Sequence, residues 1–143
     1  MTTLIWSVLL FFASANGPTL DQVRADNNPE HRAKAAVEYA ALAERAAEAA
    51  NDSGDQTRLT TDINNMVEAM ELARDSFTAA GKTPNRQPGT FKGVELLSHQ
   101  LLHRLADLQN KMDLDQKPML DGPIMKIQEI HDAWFEGIMG KKK

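Results

Sequence analysis

Residues 55–80 read DQTRLTTDINNMVEAMELARDSFTAA. Within this run Leu59, Ile63, Met66, Met70, Ala73, Phe77 and Ala80 recur in alternating steps of four and three residues. Side chains so spaced share one face of an α-helix, and a sustained stripe of this kind is the seam of antiparallel helix packing. Gly81 follows, a residue suited to ending a helix. The spacing therefore predicts a helix from about Asp55 to Ala80.

Working toward the N-terminus, Asn51-Asp52-Ser53-Gly54 breaks the chain before this helix. Asn28-Pro29-Glu30 reads as an N-cap followed by proline at the first helical position. The helix expected from Pro29 to about Ala50 has a face of Ala36, Ala40, Ala43, Ala47 and Ala50, with Val37 and Tyr39 alongside. Such small side chains let a neighbouring helix come close. A short element is expected over Thr19 to Ala25.

Toward the C-terminus, Lys82 to Thr90 reads as a loop punctuated by Pro84, Pro88 and Gly89. A third long helix is predicted from about Phe91 to Met112, striped by Val94, Leu97, Leu101, Leu105, Leu108 and Met112. Asp113-Leu114-Asp115 reads as a turn, and a last helix runs from near Gln116 to about Ile138, kinked or restarted at Gly122-Pro123. Strand signals are nearly absent. The expectation is an all-α fold: an up-down antiparallel four-helix bundle over residues 29–140, preceded by a segment 16–28. An extended three-helix arrangement or a piece of α-solenoid is the alternative. Ala73, Phe77, Ala80 and Pro84 match half of a tetratricopeptide repeat, but the first-half signature is missing.

At the N-terminus, Leu4 to Phe12 is almost wholly apolar and Ala13-Ser14-Ala15 places small residues where a signal peptidase reads. Residues 1–15 are expected to be a secretory signal peptide or an uncleaved anchor, although no Lys or Arg precedes the apolar run. The protein is accordingly expected to be periplasmic or extracellular. The chain has no cysteine, which removes disulfides, thiolate metal sites and covalent haem attachment. Its net charge of −4 argues against a nucleic-acid footprint. Positive charge gathers in Lys82, Arg86, Lys92 and Arg104 and again in the basic tail 141–143, where the N-terminal segment or the lysines give a possible membrane contact.

Chemistry is concentrated in histidines. His99 and His103 lie four apart, so they share a helix face and can share a metal ion. Gln100 follows His99 where a zinc protease carries its catalytic Glu, which excludes that reading. Glu95, His99 and His103 would span about 12 Å along one face, so one ion needs a ligand from elsewhere. No Glu stands three residues before any His, which disfavours a di-iron bundle. His131, close to the apolar stripe of the last helix, is a candidate axial haem ligand. Periplasmic haem-b bundles resemble this chain in length, export signal and helix count; they place a Met ligand in the first helix, and Pro29–Ala50 contains none.

The loop Lys82-Thr83-Pro84-Asn85-Arg86-Gln87-Pro88 and the ending His131-Asp132 to Gly137-Ile138-Met139-Gly140 are the most distinctive segments. Through them the chain resembles short, uncharacterised exported helical proteins of bacteria, a resemblance that implies no activity. No phosphate loop, nucleophile elbow or Ser-His-Asp pattern is present, and neither a catalytic residue nor a small-molecule substrate is expected. The sequence thus points to a non-enzymatic structural or protein-interaction component of the cell envelope, contacting a protein partner or a second copy through Lys82, Arg86, Phe91, Lys92, Trp134 and Phe135, with no cofactor. A periplasmic haem- or metal-binding bundle using His99, His103 or His131 is the alternative.

Overall fold

A computed structural model describes residues 18–140. The apolar run Leu4–Phe12, the Ala13-Ser14-Ala15 motif and the tail 141–143 lie outside the described residues, and the export and basic-tail readings lie there with them. The described residues contain no strand. They form α1 (Leu20–Arg24), α2 (Pro29–Ser53), α3 (Gln56–Ala79), α4 (Pro88–Lys111), a 3-10 turn (Lys117–Leu120) and α5 (Asp121–Ile138). The fold is all-α. No helix among the described residues is long and apolar enough to cross a membrane.

Local chemistry sets the helix ends. The Thr19 hydroxyl and the Gln22 side chain cap α1 reciprocally. The Asn28 carboxamide oxygen accepts from the His31 amide, ahead of Pro29, and Asp55 caps α3 in the same way through the Arg58 amide. Gly54 closes α2 at φ 76°, a conformation that costs other residues a Cβ clash. Two boundaries differ from the sequence expectation. Helix α4 starts at Pro88 rather than Phe91, because a proline at the first position forfeits no intrahelical bond. The last helix starts not near Gln116 but at Asp121, at the restart expected for Gly122-Pro123. Pro118 belongs to the 3-10 turn, and α5 starts afresh at Asp121 with Gly122-Pro123 in its first turn.

The two stripes read from sequence face each other. Ala33, Ala36, Ala40, Ala43, Ala47 and Ala50 of α2 are buried, as are Leu59, Ile63, Met66, Met70, Ala73 and Phe77 of α3. Each large side chain so buried contributes roughly 1.5–3 kcal/mol, and the alanines allow the two backbones to approach. Helix α2 packs against α3 and α4, and α5 packs against α3 and α4; α2 and α5 face each other across a diagonal, as do α3 and α4. Two hairpins, α2–α3 and α4–α5, thus lie side by side. The segment between α3 and α4 spans the diagonal at one end, where Phe77, Phe91 and Trp134 form an aromatic plug. Phe77 lies 4.3 Å from Phe91 and 5.8 Å from Trp134 between ring centroids, and Phe91 lies 6.1 Å from Trp134.

The spanning loop is pressed onto α5. A Cβ built at Gly137 would lie 2.3 Å from Pro84 Cγ, so the proline ring rests on bare helix backbone. On the other seam, Glu44 of α2 is fully buried beside Arg104 of α4. Arg104 Nε donates to Glu44 Oε1 at 2.9 Å, and its other arm lies 3.2 Å from Glu48. Glu44 Oε2 has no partner. Burial, reinforced by the neighbouring Glu48 carboxylate and opposed by Arg104, pushes the Glu44 carboxyl up to about 7.

Two outcomes follow. Gly137→Ala forces the rigid Pro84 ring aside and is expected to destabilise the fold by about 1 kcal/mol, overpacking outweighing the helix-propensity gain. Gly93→Ala, in open space within α4, is expected to stabilise by about 0.5–1 kcal/mol; thermal melts of the two variants check the pair. Because the Glu44 carboxyl titrates higher folded than unfolded, folding is favoured by its protonated form. Its contribution is intact below pH about 4.5, declines as pH rises toward about 7 and is flat above. Glu44→Gln is therefore expected to flatten the stability profile across that window and to exceed the parent at pH 8, as read by denaturant midpoints.

Candidate metal centre

Helix α4 presents Glu95 and His99 one turn apart at the edge of its buried stripe, whose neighbouring positions Val94, Ser98 and Leu101 point into the core. Helix α5 brings His131 to the same edge, between the buried Ile127, Ile130 and Trp134. His131 Nε2 stands 2.8 Å from Glu95 Oε2, and its Nδ1 stands 3.1 Å from Asp132 Oδ1. The Gln128 amide donates to the same Asp132 oxygen at 2.8 Å. The His99 ring lies 5.8 Å from the His131 ring, and Phe135 stacks on His131 at 6.0 Å.

Glu95, His99 and His131 each place one donor atom within 4.8 Å of the others. A tetrahedral zinc ion with bonds of about 2.0–2.1 Å holds its ligand atoms about 3.4 Å apart. The hydrogen-bonded Glu95–His131 pair is closer than that and has to open slightly, while His99 has to close, which its exposed side chain is free to do. Two imidazoles and one carboxylate are the donor set of some zinc sites that keep a fourth position for water. With Nε2 on an ion, Nδ1–H of His131 donates to Asp132, the outer carboxylate that commonly orients a ligating histidine.

The sequence placed Glu95, His99 and His103 on one face and required a ligand from elsewhere. That ligand is His131; His103 lies a turn beyond, exposed, and outside the group. A haem reading of His131 conflicts with the geometry, since Glu95 Oε2 sits 2.8 Å from the ring nitrogen where the porphyrin plane would lie. The expected contact surface also needs correction. Phe91 and Trp134 are buried in the aromatic plug at 1% and 4% exposure and are not available to a partner. Lys82 lies 3.5 Å from Glu30 in an ion pair. Arg86, Lys92 and Phe135 are exposed, and Phe135 covers the metal-side histidine rather than a separate surface. The sequence weighed Glu95 only with its own helix, and it missed Asp132, which carried no signal beyond adjacency to His131.

No family model matches the chain, and no curated protein or solved structure matches it. The geometry of Glu95, His99 and His131 therefore carries the functional reading. Removing the outer carboxylate with Asp132→Ala is expected to lower Zn2+ affinity by about tenfold while leaving the far-ultraviolet circular dichroism unchanged; calorimetric titration alongside the spectrum checks this.

Proposed function

We propose that this chain is a non-enzymatic, exported helical-bundle protein that binds one divalent transition-metal ion, Zn2+ or a close neighbour, through Glu95, His99 and His131. The observation that carries the reading is the convergence of one carboxylate and two imidazoles from two helices within 4.8 Å. Nitrogen donors favour zinc and its first-row neighbours over Mg2+ and Ca2+, which take oxygen. Gln100 in place of a general base after His99 supports binding without hydrolysis. Export rests on the sequence of residues 1–15. A protein-contact role is supported by Leu96 on α4 and Met139 just past the end of α5, large apolar side chains 53% and 59% exposed.

Calorimetry of the purified protein with Zn2+ tests the reading. One equivalent is expected, with Glu95→Gln, His99→Ala and His131→Ala each weakening binding by about 100-fold and His31→Ala leaving it unchanged. Undiminished binding by His131→Ala, or the absence of any stoichiometric binding, overturns the assignment.

A further inference from the structure

We propose that Glu44 is a proton-operated latch between the two hairpins. With its carboxyl neutral, the seam between α2 and α4 is closed and dry; with its carboxyl charged, the Arg104 side chain turns outward and water enters. The latch is independent of the metal-binding reading, because it lies on the α2 flank of α4 and His131 lies on the α5 flank.

Among the described residues Glu44 is the one acid whose side chain is buried completely. Arg104 reaches only one of its oxygens and gives its other arm to Glu48, so Oε2 is buried without a partner. A neutral carboxyl tolerates that place better than a carboxylate, whose buried charge requires every lone pair to be answered. Water stands close by. A surface cleft of about 230 Å³ is lined by Glu48 and Arg104, the two side chains that adjoin Glu44, with Asp107, Leu108 and Lys111 beyond. The Arg104 side chain is already 42% exposed, so its guanidinium has room to turn into the cleft. Helix α2 also meets α4 far more thinly than it meets α3. The seam can therefore loosen while both hairpins stay formed.

The charges around Glu44 set where the latch operates. Burial acts most strongly on it; Glu48 on its own helix adds to burial, and Arg104 on α4 opposes both. Asp107 and Lys111 of α4 stand farther along the cleft, and Lys111 acts on Glu48. Helix α3 meets α2 with the apolar stripe of Leu59, Ile63, Met66 and Met70. Of its part-buried acids, Asp62 answers to Arg58 and Asp55, and Glu71 pairs with Lys126. The charges of α1, Asp21 and Arg24, bear on Tyr39 instead. With the Glu44 carboxyl pushed up to about 7, the latch is closed in mild acid and released in mild alkali.

Hydroxyl-radical footprinting of the metal-free protein, at about pH 5.5 and about pH 8.5, tests the latch. Oxidation of Leu108, which is buried beside the cleft, is expected to rise about threefold at the higher pH. Leu59 and Ile63, packed between α2 and α3, are expected to stay unchanged. Glu44→Gln is expected to hold Leu108 at its low-pH level throughout. A second measurement needs no variant: in carboxyl-labelled wild-type protein, one glutamate carbon is expected to titrate near 7 by NMR, with the methyl shifts of Leu105 and Leu108 following the same midpoint. Equal Leu108 oxidation at both pH values overturns the latch, as does the same rise in Glu44→Gln. A rise shared equally by Leu59 and Ile63 also overturns it, because the whole fold would then be loosening. So does a wild-type spectrum in which no glutamate titrates above the ordinary carboxylate range.

Discussion

The rings of Phe77, Phe91 and Trp134 set how α5 lies along α4, and the proposed metal centre depends on that register. Phe91 precedes Glu95 by one helical turn, and Trp134 follows His131 by about one turn. Locking the first and last of these rings together places the Glu95 and His131 side chains opposite each other. The ring contacts lie at 4.3 to 6.1 Å between centroids, the range in which aromatic pairs add about 0.5–1.5 kcal/mol beyond area burial. A slip of α5 by one turn would carry His131 about 5.4 Å along the helix axis. That is more than the spread of the whole ligand group, so the plug acts on the site without touching it.

The two hairpins also differ in how they tolerate polar groups. The α2–α3 contact is built from alanines against large apolar side chains and holds the hydrophobic weight of the fold. The contacts of α4 with its neighbours contain the buried ionisable side chains Glu44, paired with Arg104 on the α2 side, and His131, paired with Glu95 on the α5 side. A buried ion pair contributes little net stability once desolvation is counted, but one partner without the other is strongly unfavourable. Helix α4 is thus tied by polar contacts on both flanks. The orphaned Glu44 oxygen marks a cost retained on one flank, and the Glu95–His131 pair on the other is the core of the proposed metal centre.

Much of this architecture was legible in the sequence. The alanine face of α2, the four-and-three stripe of α3 and the leucine stripe of α4 are local periodicities, and local periodicity survives folding. The start of α4 was set at Phe91 because Pro88 and Gly89 suggested a longer connection, whereas the helix begins at Pro88. The diagonal between α3 and α4 was not legible, because helix order in the chain fixes length and direction but not which flanks meet. The centre was half legible. Glu95 and His99 are four apart and announce a shared face, whereas His131 lies 36 residues from Glu95 and joins it only through the packing of α5.

The two segments that singled this chain out, the Lys82–Pro88 loop and the His131–Gly140 ending, turn out to be one structural unit. Pro84 rests on the backbone at Gly137, where any side chain would collide with its ring. A proline is stiff and a glycine in a helix is costly, by about 1 kcal/mol against alanine, so each residue is explained by the other rather than by its own helix or loop. Their contact holds the last turns of α5 against the end of the molecule, beyond Trp134. Phe135, one turn from His131, is thereby kept stacked on that imidazole. The stiff loop, the bare helix backbone and the aromatic plug act in sequence on the same helix, and the side chain they orient last is the histidine that α4 could not provide for itself.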